Sequence, residues 1–380
     1  MSRVYSWSRF AVRTLAAAAG WEHTPTKLIF VVTKRCYSRC VYCDIWKVKD
    51  TPGALDAELT LDEVRAVARA NPFLQWIDFT GGEPTDRPDF IEVVQAFAAA
   101  CPDLLLVHFP TNGIATKRIL ETVARLRATV KARLIVTVSI DGPPELNDRL
   151  RGIRNDFAHA IDTFAAVRKE LGAENTYVGM TLHGHKGSCG RTTSELVEDT
   201  FSAINAALGE RAESGIGWGS FHINIPHFSQ HYYGNQERHA QEGFGGPEHR
   251  AEIAAALELA ATKSKTGASP AMRGIERIYR AEARRYLATG RTAITCSALL
   301  STAYLSEKGE VYPCTIWDKP LGNVRSTNYS LMPILETARR TGVRAAIASA
   351  RCPNCWTPCE AHPAIMASPV RSAVALITGR

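Results

Sequence analysis

No stretch of this 380-residue sequence is apolar for long enough to cross a membrane, and near its start the longest apolar run, Leu15 to Ala19, is too short for the core of a secretory signal. A cytoplasmic protein is therefore expected. Charge of one sign is also scarce: 45 lysines and arginines face 38 aspartates and glutamates, and the formal net charge of +7 is spread along the chain. That balance argues against nucleic acid as a partner. Arginine-rich stretches such as Arg277 to Arg285 have helical spacing and read as solvated faces. No internal repeat or low-complexity tract appears. The length exceeds that of a typical compact domain, so one large catalytic unit with a smaller appendage is expected.

Cysteine, by contrast, is plentiful. There are ten, most of them in spaced groups. In a reducing compartment grouped thiols serve as metal ligands rather than as disulfides. Cys101 ends an alanine-rich helix and reads as a small buried residue, while Cys189 stands in a Gly-Ser-Cys-Gly loop, where it is a candidate hydrogen-atom donor.

After residue 26, β-rich runs alternate with amphipathic helical stretches as far as Ile225. Strands are predicted near 28–33, 75–79, 104–109, 133–140, 176–183 and 217–225, with helices near 60–70, 88–100, 115–129, 156–171 and 192–208. Thr60 and Glu63 form a capping box, and Pro88 suits the first turn of the second helix. Side chains alternate along a strand. In the sixth, Phe221, Ile223 and Ile225 oppose Trp218, Ser220, His222 and Asn224; in the fifth, Val178, Met180 and Leu182 oppose Gly179, Thr181 and His183. One face suits packing on helices and the other a polar lumen, which favours an α/β fold built as a partial barrel of six parallel strands around a ligand. Thr181, His183, His222 and Asn224 are the predicted substrate contacts, with His222 and Cys189 the catalytic candidates.

Residues 226–249 break the rhythm and read as a long lid or mobile loop, followed by helices near 250–266 and 270–289. A hairpin is predicted at 303–305 and 310–312. Four segments follow: an N-terminal extension at 1–26, the barrel at 27–225, the loop and connecting helices at 226–289, and a small cysteine-rich α+β domain at 290–380.

Cys36-x3-Cys40-x2-Cys43 directly follows the first strand. Three thiolates on one loop leave one iron of a [4Fe–4S] cubane open to an exogenous chelator, whereas structural zinc needs a fourth nearby ligand that this loop lacks. The loop, with Tyr42 before its last cysteine, resembles the radical S-adenosylmethionine (SAM) superfamily. Later motifs fall in that family's order: Gly81-Gly82-Glu83-Pro84, Thr111-Asn112-Gly113, Ser139-Ile140-Asp141-Gly142, and Asn147 to Gly152, with Asn147 where many members carry His. The resemblance implies that Tyr42, Gly81, Gly82, Glu83, Asn112, Ser139 and Asp141 contact SAM, with Glu83 at its amino group. It further implies that the reduced cluster cleaves SAM to a 5′-deoxyadenosyl radical that abstracts a substrate hydrogen, with an electron donor such as flavodoxin or ferredoxin.

Cys296, Cys314, Cys352 and Cys355 resemble the ligands of a second, auxiliary [4Fe–4S] cluster in the twitch or SPASM extensions of this superfamily, and spacing leaves open whether Cys355 or Cys359 completes the set. The function expected is that of a radical SAM enzyme, of oxidoreductase or of transferase or lyase type, acting on a small molecule, lipid or peptide. Only 26 residues precede the first strand, too few for a peptide-recognition domain, which weighs toward a small molecule or lipid. Rival readings are a ribosomal-peptide maturase with two clusters in the extension and a non-catalytic zinc protein that binds partners. The stripe Val4, Trp7, Ala11 and Leu15, with Phe10 beside it, fits either packing against the barrel, the preferred reading, or an interfacial helix at a membrane surface.

Overall fold

Lys27–Thr33 (KLIFVVT), an apolar β-branched run buried at every position, forms strand β1. The computed structural model describes residues 3–18, 21, 24–182, 190–237, 246–263 and 270–368. Around β1 a parallel sheet is built by β2 (Trp76–Gly81), β3 (Leu106–Thr111), β4 (Arg133–Ser139), β5 (Thr176–Thr181) and β6 (Phe221–Asn224), in sequential order. Helices return the chain between them: α2 (Leu61–Ala70), α3 (Phe90–Ala100), α4 (Thr116–Thr129), α5 (Pro144–Arg151), α6 (Asp156–Leu171) and α7 (Thr193–Glu210). α1 is Arg3–Ala18.

Local chemistry sets most element ends. Thr60 accepts from the Glu63 amide while the Glu63 carboxylate accepts from the Thr60 amide, the capping box read from the sequence. Three expectations shift. β3 begins at Leu106 rather than near 104 and runs through Pro110; Pro88 lies before α3, whose first turn opens after Asp89; and Trp218–Ser220 coil into a 3-10 turn that ends the alternation, so Trp218 stacks on Phe201 (centroids 4.1 Å apart) outside the lumen. α5 was not foreseen.

The outer face of the sheet packs on the helices. Phe30, Phe79, Phe90, Phe97 and Phe109 meet at tilted or edge-on angles with centroids 5.4–6.3 Å apart, and each buried ring contributes about 1.5–3 kcal/mol. α8 (Pro247–Lys263) and α9 (Pro270–Thr289) cover the β5–β6 side. The predicted hairpin forms as β7 (Thr302–Leu305) and β8 (Glu310–Tyr312), but β7 also pairs in parallel with β1, Phe30 opposite Leu305. The cysteine-rich region thus extends the barrel's own sheet, which ends on β9 (Gly322–Asn323). α10 (Met332–Arg340), α11 (Val343–Ala348) and α12 (Pro358–Met366) complete the chain.

α1 lies across the amino ends of the strands. Phe10 packs on Trp76 and Leu105, Arg13 Nη1 donates to the Phe73 carbonyl at 2.7 Å, and Arg9 pairs with Asp103. This is packing against the barrel, with Val12 and Leu15 left exposed; the side chains of Val4 and Trp7 lie outside the described set. Among the described residues no helix is long and apolar enough to cross a membrane.

Lys27 links the two halves of the chain. Its Nζ, 1 % exposed, meets Asp78 Oδ2 at 2.6 Å, the Cys359 carbonyl of α12 at 2.8 Å and the Trp76 ring at 3.9 Å. Burial alone would raise the Asp78 carboxyl, but Lys27 and His108 hold it below the ordinary carboxylate range. Lys27→Met strands that charge and is expected to cost about 3–5 kcal/mol of unfolding free energy in urea titration, with Asp78→Leu added to it restoring most of the loss. A loss below about 1 kcal/mol would show the pair to behave as a solvated one.

Candidate active site

The chain leaves β1 into the loop 34–44, and close backbone approach fixes that loop. Gly82 N donates to Thr33 O at 2.9 Å and Glu83 N to Arg35 O at 2.7 Å. A Cβ on Gly82 would stand 2.1 Å from Arg35 O, and one on Gly81, whose φ is +139°, 2.1 Å from Thr33 O, so this motif needs both glycines. Arg39 N and Val41 N bond to Arg151 O and Leu150 O on the other side. Between these supports Cys36, Cys40 and Cys43 are half-buried and line one cavity of about 560 Å³.

The three thiols crowd one another. Burial, then the charge of Cys40, pushes Cys36 up to about 12; Cys43 is raised by the same two causes in the same order, and Cys40 chiefly by burial. A cationic centre would reverse that penalty and hold all three as thiolates. Among the described residues no three His, Cys, Asp or Glu side chains are disposed to hold a single ion. A cubane does not ask for that, because each cysteine takes a different iron. The residues present therefore fit a cluster held by Cys36, Cys40 and Cys43.

The later motifs arrive at the same cavity from successive strand ends, as parallel topology requires. Gly81, Gly82, Asn112, Ser139, Asp141 and Tyr42 all line it. Glu83 does not. Its carboxylate is 1 % exposed and accepts from Asn112 N (2.6 Å), Thr85 Oγ1 (2.7 Å) and Thr111 Oγ1 (3.0 Å). Burial raises its pKa against these bonds. Gly81 and Gly82 line the cavity, and Glu83, behind them, ties the end of β2 to that of β3.

Asp141 is the hub of the opposite wall. Its Oδ1 accepts from Thr181 N at 2.9 Å, and Oδ2 meets Arg151 Nη1 at 2.7 Å and the Tyr42 hydroxyl. Asn147, where the sequence departs from the family's His, accepts from Asp141 N and donates to the buried Asp156, both at 2.8 Å. An amide does both jobs at once without a charge.

Of the predicted substrate contacts, Thr181, His222 and Asn224 line the cavity; His183 and Cys189 lie outside the described residues. Two residues that sequence reasoning missed join them: His362 on α12, and behind it the buried Glu276 on α9, whose Oε1 stands 2.8 Å from His222 Nδ1 and 3.2 Å from His362 Nε2. The stretch read as a solvated arginine face is also corrected: Arg280 is fully buried and donates to Ala260 O at 2.9 Å and Phe221 O at 3.1 Å, whereas Arg277, Arg284 and Arg285 are exposed. The strap 226–237 is no free lid at the residues described: Tyr232 OH meets Thr80 Oγ1 at 2.6 Å, Asp44 N donates to Tyr233 O, and Asn235 Nδ2 to Tyr42 O.

A second cavity, of about 300 Å³, is lined by Cys296, Cys314, Cys352 and Cys355 together with Trp317, Trp356 and Glu360. Cys296, Cys314 and Cys355 are raised by burial and by one another's charge. Cys359 is absent from this wall and lines the larger cavity instead. Cys101 is buried, its thiol 3.6 Å from Asn71 O.

Residues 30–193 match the model of the Radical SAM superfamily. Over 145 residues the chain is 36% identical to mycofactocin maturase MftC of Mycobacterium ulcerans, 37% of this chain and 37% of that protein. Over 135 residues it is 35% identical to PqqA peptide cyclase of Bradyrhizobium diazoefficiens, covering 34% and 33%. The matched segments thus span about a third of these relatives' length. Among solved structures, native anSMEcpe with bound AdoMet aligns over 92% of this chain and 99% of its own with a TM-score of 0.50 and 12% identity, a likeness of fold.

Proposed function

We propose, for a chain that carries a radical SAM domain over residues 30–193, that it is an enzyme which cleaves SAM reductively and takes hydrogen from a substrate held in the barrel lumen. The observation that carries this reading is the meeting of Cys36, Cys40 and Cys43 with Gly81, Gly82, Asn112, Ser139 and Asp141 on the wall of one cavity. Cys36, Cys40 and Cys43 would hold a [4Fe–4S] cluster at this site, and that cluster would supply the electron for the reductive cleavage of SAM. The chain's part is orientation. Backbone at Gly81-Gly82 and the side chains of Asn112, Ser139 and Asp141 offer polar contacts to SAM, Arg151 and Tyr42 hold Asp141 in place, and α1 with α12 closes the far end of the lumen against water.

Cys296, Cys314, Cys352 and Cys355 are assigned an auxiliary cluster, in a twitch-like extension, and a flavodoxin or ferredoxin the role of electron donor. The lumen supports an apolar substrate. Phe10, Trp46, Trp76, Leu106, Ile135 and Phe228 are on its wall, and its arginines are engaged, Arg151 with Asp141 and Asp156, Arg133 with Asn175 and Glu174. That disfavours a polyphosphate. The names of the relatives, a maturase and a peptide cyclase, move the weight from a small molecule or lipid to a peptide side chain. Iron, sulfide and zinc analysis of anaerobically purified protein tests the reading: about eight irons per chain and no zinc are expected. One or two zincs with no sulfide would instead favour the partner-binding zinc protein.

A further inference from the structure

Arg344 brings a permanent positive charge to the auxiliary cysteines. α11 (Val343–Ala348) contributes Ile347 and Ala348 to the wall of their cavity, and Arg344, one turn earlier, lies on the same helix face. Its side chain is half-buried, and its Nη1, fully enclosed, has no hydrogen-bond partner among the described residues. A buried charged donor without an acceptor is costly, so a fold that keeps one points to an acceptor that binds there. The neighbours indicate which. Burial lowers the pKa of Arg344, and the groups whose charge holds it up are, in order, Cys296, Glu360 and Cys352. A guanidinium keeps its proton under such a shift. Two of those three groups are thiols of the cysteine set. Backbone amides serve other sulfurs of the set: Ala298 N lies 3.5 Å from Cys296 Sγ, the Thr357 amide faces Cys355, and the Ile316 and Trp317 amides face Cys314. Glu360 Oε2 accepts from Thr302 Oγ1 at 2.5 Å.

We propose that Arg344 tunes the redox potential of the auxiliary cluster: its Nη1–H serves sulfur on the side of Cys296 and Cys352, and its charge makes the cluster easier to reduce. A cluster gains one negative charge on reduction, so a nearby cation and an N–H directed at sulfur favour the reduced form and raise the potential. Arginine suits the task, because it is charged at every working pH and holds its donors in one plane. Arg344 acts on the cofactor rather than on the reacting atoms, and is therefore a tuning residue and not a catalytic one. Whatever Glu360 contributes is the same in every variant of Arg344. The inference rests on the reading that Cys296, Cys314, Cys352 and Cys355 hold an iron–sulfur cluster, and it is independent of the substrate.

The test is a redox titration of the anaerobic holoenzyme with dithionite, followed by electron paramagnetic resonance. The signal that the Cys36, Cys40 and Cys43 triple-alanine variant lacks belongs to the loop, and the other to the auxiliary cluster. Arg344→Gln is expected to weaken reduction of the auxiliary cluster about tenfold, a midpoint lower by about 59 mV for one electron, while the loop cluster stays where it was. Arg344→Lys keeps the charge without the planar donors and should weaken reduction about threefold. Iron is counted in each protein, and about eight per chain should remain. An auxiliary midpoint that is unmoved or raised in the variants that keep their iron, or an equal shift in both clusters, overturns the inference. Loss of about four irons from both variants overturns it as well, since Arg344 would then be a structural residue. A wild-type protein with no second cluster would refute the assignment of one to these cysteines together with the inference, whereas a second cluster whose midpoint ignores Arg344 refutes the inference alone.

Discussion

Replacing Cys36, Cys40 and Cys43 together by alanine is expected to lower reductive SAM cleavage to the background of the reductant alone, while about four of the eight irons per chain remain. The loss is total rather than partial because the site that admits SAM to an iron exists only while three thiolates occupy the other three irons. The three lie on one loop held from both sides, by Gly82 and Glu83 through Thr33 and Arg35, and by Leu150 and Arg151 through Arg39 and Val41. The second cysteine set occupies another cavity with its own walls, so its iron should survive. Anaerobic iron counting with quantification of 5′-deoxyadenosine checks both halves. Cleavage at the wild-type rate, or loss of all iron, would contradict the assignment.

Cys355→Ala and Cys359→Ala should part company. Cys355 shares the 300 Å³ cavity with Cys296, Cys314 and Cys352, so its removal is expected to cost the auxiliary cluster and to destabilise residues 290–368, which a metal staple helps hold together. Cys359 instead lines the larger cavity, and its contribution to the fold is a carbonyl that accepts from Lys27, which alanine keeps. Iron should fall from about eight to about four in the first variant and stay near eight in the second. The opposite pattern would move the fourth ligand to Cys359.

What the sequence made legible was local. The Thr60 and Glu63 capping box, the strand runs and the Cys36 to Cys43 loop each depend on neighbours a few residues apart, and they appear where expected apart from shifts of two residues at β3 and α3 and of four at the start of β6, where Trp218–Ser220 coil into a turn. Long-range pairings left no such trace. Nothing in TAYL announces that it will lie parallel to β1, some 275 residues earlier, and so the cysteine-rich region reads as a separate domain although it continues the barrel's sheet. The same gap hid Glu276. It stands beside Arg277 in a stretch whose charge and spacing suit a solvated face, and only the packing of α9 on β6 and α12 turns Glu276 inward toward His222 and His362 and Arg280 inward to the Phe221 carbonyl. Glu83 shows the converse: the motif is readable, but whether its carboxylate meets the ligand or the protein depends on Thr111 and Asn112, which arrive from another strand.

The central claim is that the cysteine loop and the strand ends around it form a site that breaks SAM by one-electron reduction. Its most direct test is to incubate the anaerobic, cluster-loaded protein with SAM and dithionite and to quantify the products by mass spectrometry. The account predicts 5′-deoxyadenosine and methionine in equal amounts, formed only when reductant is present. Intact SAM in a protein that has its full iron, or cleavage that proceeds equally well without reductant, would contradict it.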